Sequence, residues 1–183
     1  MSKTPVLTLR PNVTRPEAIR AFSEGPSARL WRIRSGALRR VAEAYVPYWG
    51  YRVEYNMAGV RHMRFFALDA VTGSLDLFEF PKLPAGEQLA AVQTRNHLTA
   101  ALTPERADEL LREKVLRVIF LQGFFKLRGT RIAVTREAQE FHIPYWLGFY
   151  GNADSARCRV LDAVRRRIEG GKAAAFFEHW LAA

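Results

Sequence analysis

Two pairs of carboxylates stand at corresponding places in the chain. Glu43 precedes a Pro47-Tyr48-Trp49 segment and Glu140 precedes Pro144-Tyr145-Trp146, while Asp69 and Asp162 each sit inside a Leu-Asp-Ala-Val segment. Brought together at a symmetry axis, such carboxylates do acid–base work or bind a metal, and paired-carboxylate mechanisms need them within about 5–10 Å. Kept apart, Asp69 and Asp162 have a simpler role, organising the turns that follow them or pairing with a nearby Arg. The aromatics Tyr48, Trp49, Tyr145 and Trp146 raise a second possibility, a groove that takes a base, sugar or peptide. Strand alternation puts Tyr48 and Trp49 on opposite faces, which favours core roles for them instead.

Other chemistry is sparsely supplied. His62, His97, His142 and His179 form no His-x-x-x-His or His-x-His pair. Glu140 and His142 alternate onto one strand face, a metal-compatible arrangement, but the first half has Glu43 and Tyr45 in those places, and an ordinary hydrogen-bonding His142 is the simpler reading. Cys158, the single cysteine, excludes an internal disulfide and a Cys-based zinc cluster and reads as a small buried hydrophobe. No Gly-x-Ser-x-Gly elbow, Walker pattern or Gly-x-Gly-x-x-Gly loop occurs. Gly170-Gly171-Lys172 leads into a helix whose first N–H groups could face an anion, although a hinge explains the same residues. No catalytic residue, metal or cofactor is implied.

The formal charge is +10, carried by 23 Arg and 5 Lys, and it is uneven. Residues 1–41 hold nine Lys or Arg against Glu17 and Glu24, and Arg29, Arg32, Arg34, Arg39 and Arg40 have no acidic residue between them. Such a patch suits nucleic acid, an anionic surface or an acidic protein partner. Arginine-rich codon usage would produce a similar bias, and no zinc finger, RNP-type aromatic motif or clear helix-turn-helix pattern accompanies the patch.

The elements that must carry these residues come in two copies. Pro47-Tyr48-Trp49 and Pro144-Tyr145-Trp146 are offset by 97 residues, and the Leu68 to Val71 and Leu161 to Val164 segments by 93. A deletion of four residues in the intervening turn reconciles the two, and Arg39 and Glu43 then match Arg136 and Glu140. Each copy reads as a helix followed by an antiparallel meander. Thr14 and Glu17 have capping-box spacing around Pro16, ahead of a helix near Glu17 to Ser23. Thr103 caps a longer helix that begins at Pro104. Period-two alternation predicts strands at Trp31-Arg32-Ile33-Arg34 and Arg131 to Thr135, then over Val41 to Tyr55 and Ala138 to Tyr150. Pro47 and Pro144 mark an edge, bulge or break. Return strands follow over Met63 to Val71 and Arg157 to Val164. The turn Val71-Thr72-Gly73-Ser74 then leads to a strand over Leu75 to Phe80, whereas the second copy has Arg165-Arg166-Arg167 in place of that turn.

The expected fold is α+β: an internally duplicated helix-plus-antiparallel-meander unit with pseudo-twofold symmetry and helices packed on one face of the sheet or sheets. The first copy spans 1–84, a connecting helix 85–102, and the second copy with a C-terminal helix 103–183, together one compact domain. Leu68-Asp69-Ala70-Val71-Thr72-Gly73 resembles the closing strand and turn of PepSY-type modules, small helix-plus-sheet domains implicated in inhibiting or binding proteases. The likeness covers about six residues, and the second copy lacks its Thr-Gly turn.

No stretch is long and apolar enough for a transmembrane helix, and Met1 to Arg10 has no apolar signal core, so a cytoplasmic location is expected. Val115 to Phe125 and Phe176 to Leu181 are apolar enough to be core or an oligomer or partner interface. The leading expectation is a non-enzymatic cytoplasmic binding or scaffolding domain acting through protein–protein contacts, with a protein partner or a second copy of itself. The alternative is nucleic-acid or anionic-surface binding through Arg29–Arg40. The third is a small enzyme using Glu43, Glu140, Asp69 and Asp162.

Overall fold

The computed structural model describes residues 3–57, 59–121, 132–151 and 157–182. It is a mixed α+β fold. In chain order the elements are β1 (Thr4–Leu9), α1 (Arg15–Ser23), α2 (Gly25–Ser35), β2 (Leu38–Met57), β3 (Val60–Asp69), β4 (Phe78–Phe80), a 3₁₀ turn (Gly86–Gln88), β5 (Leu89–Thr94), α3 (Pro104–Leu121), β6 (Ile132–Tyr150), β7 (Arg157–Asp162), β8 (Arg167–Ile168) and α4 (Gly171–Ala182). The hydrogen-bonded strand order is β4-β3-β2-β6-β1-β5, with β7 pairing β6 and β8. The chain divides into two compact units. One comprises Met1–Val46, Ala90–Leu98 and His142–Ala183; the other comprises Pro47–Leu89 and Thr99–Phe141.

In the second of these units, β2 and β3 form an antiparallel ladder running from Tyr48 opposite Asp69 to Met57 opposite Val60. Pro47 stands one residue outside that ladder. Its missing N–H therefore costs the β2–β3 ladder nothing, and its carbonyl accepts the Ala70 N–H at 2.8 Å. The expected break is thus the end of a ladder inside an unbroken strand. The helix α3 begins where expected, with Thr103 Oγ1 accepting the Arg106 N–H at 3.3 Å. Its residues Ala107, Leu111, Val115 and Ile119 recur every fourth position and pack on Tyr51, Val53, Tyr55, Phe66 and Leu68. The apolar stretch beginning at Val115 is core in these positions, and its part from 122 onward lies outside the described residues.

The other unit repeats the local pattern with different residues. In β6 and β7, Tyr145 stands opposite Asp162 and Trp146 opposite Leu161. Pro144 again lies one residue outside the ladder, its carbonyl accepting the Ala163 N–H at 3.1 Å. Thr14 and Glu17 close the expected capping box, Glu17 Oε2 accepting the Thr14 N–H at 2.7 Å. This bond and the Thr14 hydroxyl hold the Glu17 carboxyl below its usual range. Ala18 and Phe22 of α1 pack with Val41, Tyr150, Leu161 and Ala163. The approach is close: a Cβ on Gly148 would lie 2.9 Å from the Phe22 ring, so this strand position admits only glycine while Phe22 stays in place. Phe176 and Phe177 of α4 are buried, Phe177 lying 5.4 Å from Tyr145 between ring centroids. Within the aromatic C-terminal stretch, Phe176 and Phe177 are therefore core, while Leu181 is exposed.

Three segments differ from expectation. Trp31 to Arg34 is helical, inside α2. Pro26 in the first turn and Gly36 (φ 83) at the C-cap, with its N–H bonded to Arg32 O at 2.9 Å, supply helix punctuation that outweighs four alternating residues. The span 85–102, expected as a connecting helix, is a 3₁₀ turn followed by β5. Beyond it, the Leu98 N–H donates to Tyr45 O at 2.9 Å and the Tyr45 N–H to Asn96 O at 2.8 Å, in a parallel bridge of Tyr45 with His97. Sheet pairing of these backbone groups overrides the helical spacing of Leu89, Val92 and Leu98. The Arg165-Arg166-Arg167 segment keeps a turn after all. Arg166 occupies the left-handed region (φ 58), as Gly73 does (φ 67), and Arg167 and Ile168 pair back onto β7. Arg131, the first residue of another expected strand, lies outside the described residues.

Candidate functional site

The two matched aspartates bind the backbone of the turns that follow them. Asp69 is fully buried; its Oδ1 accepts the Thr72 N–H at 2.8 Å and the Gly73 N–H at 2.9 Å, and its Oδ2 accepts the Leu75 N–H at 2.8 Å. Asp162 does the same in its own turn, Oδ1 accepting the Val164 and Arg165 N–H groups, both at 2.8 Å. Its Oδ2 has no hydrogen bond and lies 3.8 Å from Arg165 Nε. Burial raises the Asp162 pKa above the ordinary carboxylate value, against the downward pull of those two N–H groups and of Arg165. Glu43 Oε2 accepts the Tyr45 hydroxyl at 3.2 Å, and Glu140 Oε2 accepts the Trp49 indole N–H at 3.1 Å. Each of the four carboxylates thus has a hydrogen-bond partner within the fold. Among the described residues, no three His, Cys, Asp or Glu side chains converge as a metal ligand set.

The aromatic segments are likewise engaged within the fold. Tyr48 and Tyr145 are buried, Tyr48 edge-on to Phe78 at 5.5 Å. Trp49 is capped by the Arg136 guanidinium, 4.9 Å from its ring centroid, and the Trp146 N–H donates to Val13 O at 2.9 Å. His142 is buried with Nδ1 3.2 Å from Leu7 O. Cys158 is buried, and its thiol is pushed up to about 12 by burial and by the Glu178 carboxylate, so it carries almost no thiolate at neutral pH.

The arginine patch is reorganised by the helix. As a strand, α2 would have set Arg32 and Arg34 against Trp31 and Ile33 on opposite faces. At about 100° per residue, the helix instead turns Ala28, Trp31 and Ser35 inward and orders Arg32, Arg29, Ile33, Leu30 and Arg34 around its outer arc. Leu30 is 66% exposed and Ile33 83% exposed. Both are apolar side chains of a kind that folding normally buries, here rimmed by arginines on either side. Arg39 and Arg40 are exposed at the start of β2.

Behind α2 lies a cleft of about 480 Å³, lined by Leu30, Trp31, Arg34, Arg157, Cys158, Arg159, Ile168, Glu169, Gly170, Gly171, Ala174 and Glu178. Arg159 projects from β7 and is only 4% exposed. Its guanidinium carbon sits 5.5 Å from the Trp31 ring centroid, and Nη2 reaches Ser27 Oγ at 3.4 Å. Nε and Nη1 have no hydrogen-bond partner. Both carboxylates of the cleft are already hydrogen-bonded: Glu169 accepts Arg167 Nη2 at 2.9 Å, and Glu178 Oε1 accepts the Cys158 N–H at 3.1 Å. Sequence reasoning missed Arg159. The available signal was a difference between the halves: the 93-residue offset places Arg159 against Phe66, an ordinary buried core residue.

Comparison of the chain with protein-family models, with curated proteins and with solved structures finds no match.

Proposed function

We propose that this protein is a non-enzymatic cytoplasmic binding module that docks an acidic, amphipathic protein segment on the outer face of α2. The observation that carries this reading is the exposure of Leu30 and Ile33 between Arg29, Arg32 and Arg34. A partner with apolar residues to cover the pair and carboxylates to meet the rim satisfies both features at once. Nucleic acid would use the arginines and leave Ile33 in water, which is why the protein partner is preferred. The engagement of Asp69, Asp162, Glu43 and Glu140 with local partners supports a binding role over catalysis.

The test is fluorescence anisotropy with a labelled peptide that alternates Glu with Leu and Ile, alongside a duplex DNA of similar charge. Covering an exposed Ile contributes about 1.5–3 kcal/mol, so Ile33→Ser should weaken the peptide about tenfold or more, and Arg29→Ala with Arg32→Ala should weaken it further. DNA binding that survives Ile33→Ser and falls steeply with salt would replace this reading with the nucleic-acid one.

The chain is also read as a duplicated unit of pseudo-twofold kind. Support comes from bonds that recur at the sequence offsets: Ala70 to Pro47 and Ala163 to Pro144, Asp69 and Asp162 in their turns, and left-handed Gly73 and Arg166. One feature modifies the simplest form of a duplication. The helix of the first copy, α1, packs on the hairpin of the second, and α3 packs on the hairpin of the first. Exchange of helices between two ancestral copies accounts for this.

A further inference from the structure

We propose that the cleft behind α2 is a binding site for a phosphate-bearing small molecule, held by Arg159. This goes beyond the docking face of α2: the two share Leu30 and Arg34 at their border, but Ile33, Arg29 and Arg32 lie outside the cleft and Arg159 lies within it. A guanidinium has five N–H donors, and the three on Nε and Nη1 of Arg159 make no hydrogen bond of good geometry; the Tyr150 hydroxyl, which donates to Phe22 O at 2.7 Å, is the nearby polar group. The side chain is 96% withdrawn from solvent, by its 4% exposure, and no carboxylate of the described residues pairs with it. The Trp31 ring face and the Ser27 hydroxyl offset only part of the cost of burying this charge, and an anion delivered through the cleft offsets the rest.

The surroundings fit the same ligand. Arg34 and Arg157 line the cleft, so three guanidinium groups face it against Glu169 and Glu178, whose carboxylates are already bonded to Arg167 and to the Cys158 N–H. Gly170 and Gly171, also in the lining, open the twelve-residue helix α4, and neither has a heavy atom within 4 Å of a Cβ added to it. The Ala173 and Ala174 N–H groups donate to Gly170 O at 3.1 and 3.3 Å, which leaves those of Gly171 and Lys172 at the positive end of the helix to face an anion. Arginine and a helix N-terminus together select a tetrahedral oxyanion over a neutral group. Leu30, Trp31, Ile168 and Ala174 add apolar wall, and a volume of about 480 Å³ holds a compact organic body as well as the anion. The ligand class is therefore a phosphomonoester on a small apolar or planar group.

The experiment titrates the full chain with inorganic phosphate, phenyl phosphate and phenol, by calorimetry and by amide nuclear magnetic resonance. Both phosphates should saturate, phenyl phosphate about tenfold or more tighter, and phenol should not bind. Phosphate should move the Gly170 and Gly171 amide signals in the unaltered protein, a readout that needs no variant. Arg159→Met should lower affinity by about tenfold to a hundredfold and abolish the thermal stabilisation that phosphate confers. Should Arg159→Met fail to fold, Arg34→Ala with Arg157→Ala should still weaken phosphate. Ile33→Ser, outside the cleft, should leave the titration unchanged, so loss of peptide docking and loss of phosphate binding are separable results. No saturable binding of either phosphate, or equal binding by a folded Arg159→Met protein, overturns the proposal.

Discussion

Asp69 and Asp162 occupy matched turns and are both fully buried, yet replacing each with Asn should have different consequences. At position 69, Asn retains Oδ1 for the Thr72 and Gly73 N–H groups, but its amide nitrogen then meets the Leu75 N–H, which Oδ2 now accepts at 2.8 Å. A charged acceptor is lost and a buried N–H is left facing another donor. Such a loss costs about 2–3 kcal/mol. For a chain of this length that lowers Tm by about 4–12 °C. At position 162, Asn also retains Oδ1 for its two N–H groups, but the oxygen replaced has no hydrogen bond and only a 3.8 Å approach to Arg165. The change removes a poorly compensated buried charge, so stability at neutral pH should stay within about 0.5 kcal/mol of the parent or rise.

Linkage adds a second signature. The folded pKa of Asp162 is raised above the unfolded 3.8 by burial. The stabilisation from protonating it is fully present below the unfolded value and is lost as pH rises through the folded one. Relative to the parent, Asp162→Asn should therefore gain stability as pH is raised from below 3.8 to neutrality. Urea midpoints at fixed m, measured across that range, test both statements. Equal destabilisation by the two substitutions at neutral pH, or a parent-to-variant difference at position 162 that does not change with pH, would refute the reasoning.

Two further outcomes follow from packing and burial. With its thiol pushed up to about 12, Cys158 should resist alkylation by iodoacetamide at pH 8 in the native protein and react quickly once urea unfolds it, as read by mass spectrometry; fast native labelling would contradict the burial of this residue. Separately expressed 1–84 lacks α3, which covers Tyr51, Val53, Tyr55, Phe66 and Leu68. Exposing five such side chains forfeits about 7–15 kcal/mol, as much as the whole stability of a typical domain. Neither 1–84 nor 85–183 should unfold cooperatively alone, and mixing them should restore a sharp transition by circular dichroism; cooperative folding of 1–84 by itself would exclude the helix exchange.

Local signals were legible in the sequence where the chemistry is short-range. The capping box of Thr14 and Glu17, the Thr103-Pro104 helix start and the carboxylate turns at Asp69 and Asp162 depend on residues within a few positions of each other, and the structure has them all. Pro47 and Pro144 were correctly disruptive, but of a ladder end instead of a strand. The span 85–102 was misread because Leu89, Val92 and Leu98 also suit a strand and bridge whose partners lie far away in the chain. At Trp31 to Arg34, four alternating residues carry less information than the Pro26 and Gly36 that bracket them.

By itself, then, the sequence determined two hairpins with their turns, two capped helices and a strongly basic first third, because turn, cap and charge are properties of neighbouring residues. Only the tertiary structure decided which hairpin each helix covers, since α1 and α3 are both amphipathic and either could pack on either apolar sheet face. It also decided that Arg159 would be withdrawn from water with two nitrogens unpaired behind Trp31. No local pattern encodes that, because the burial of a charge depends on what α2, β7 and α4 bring around it.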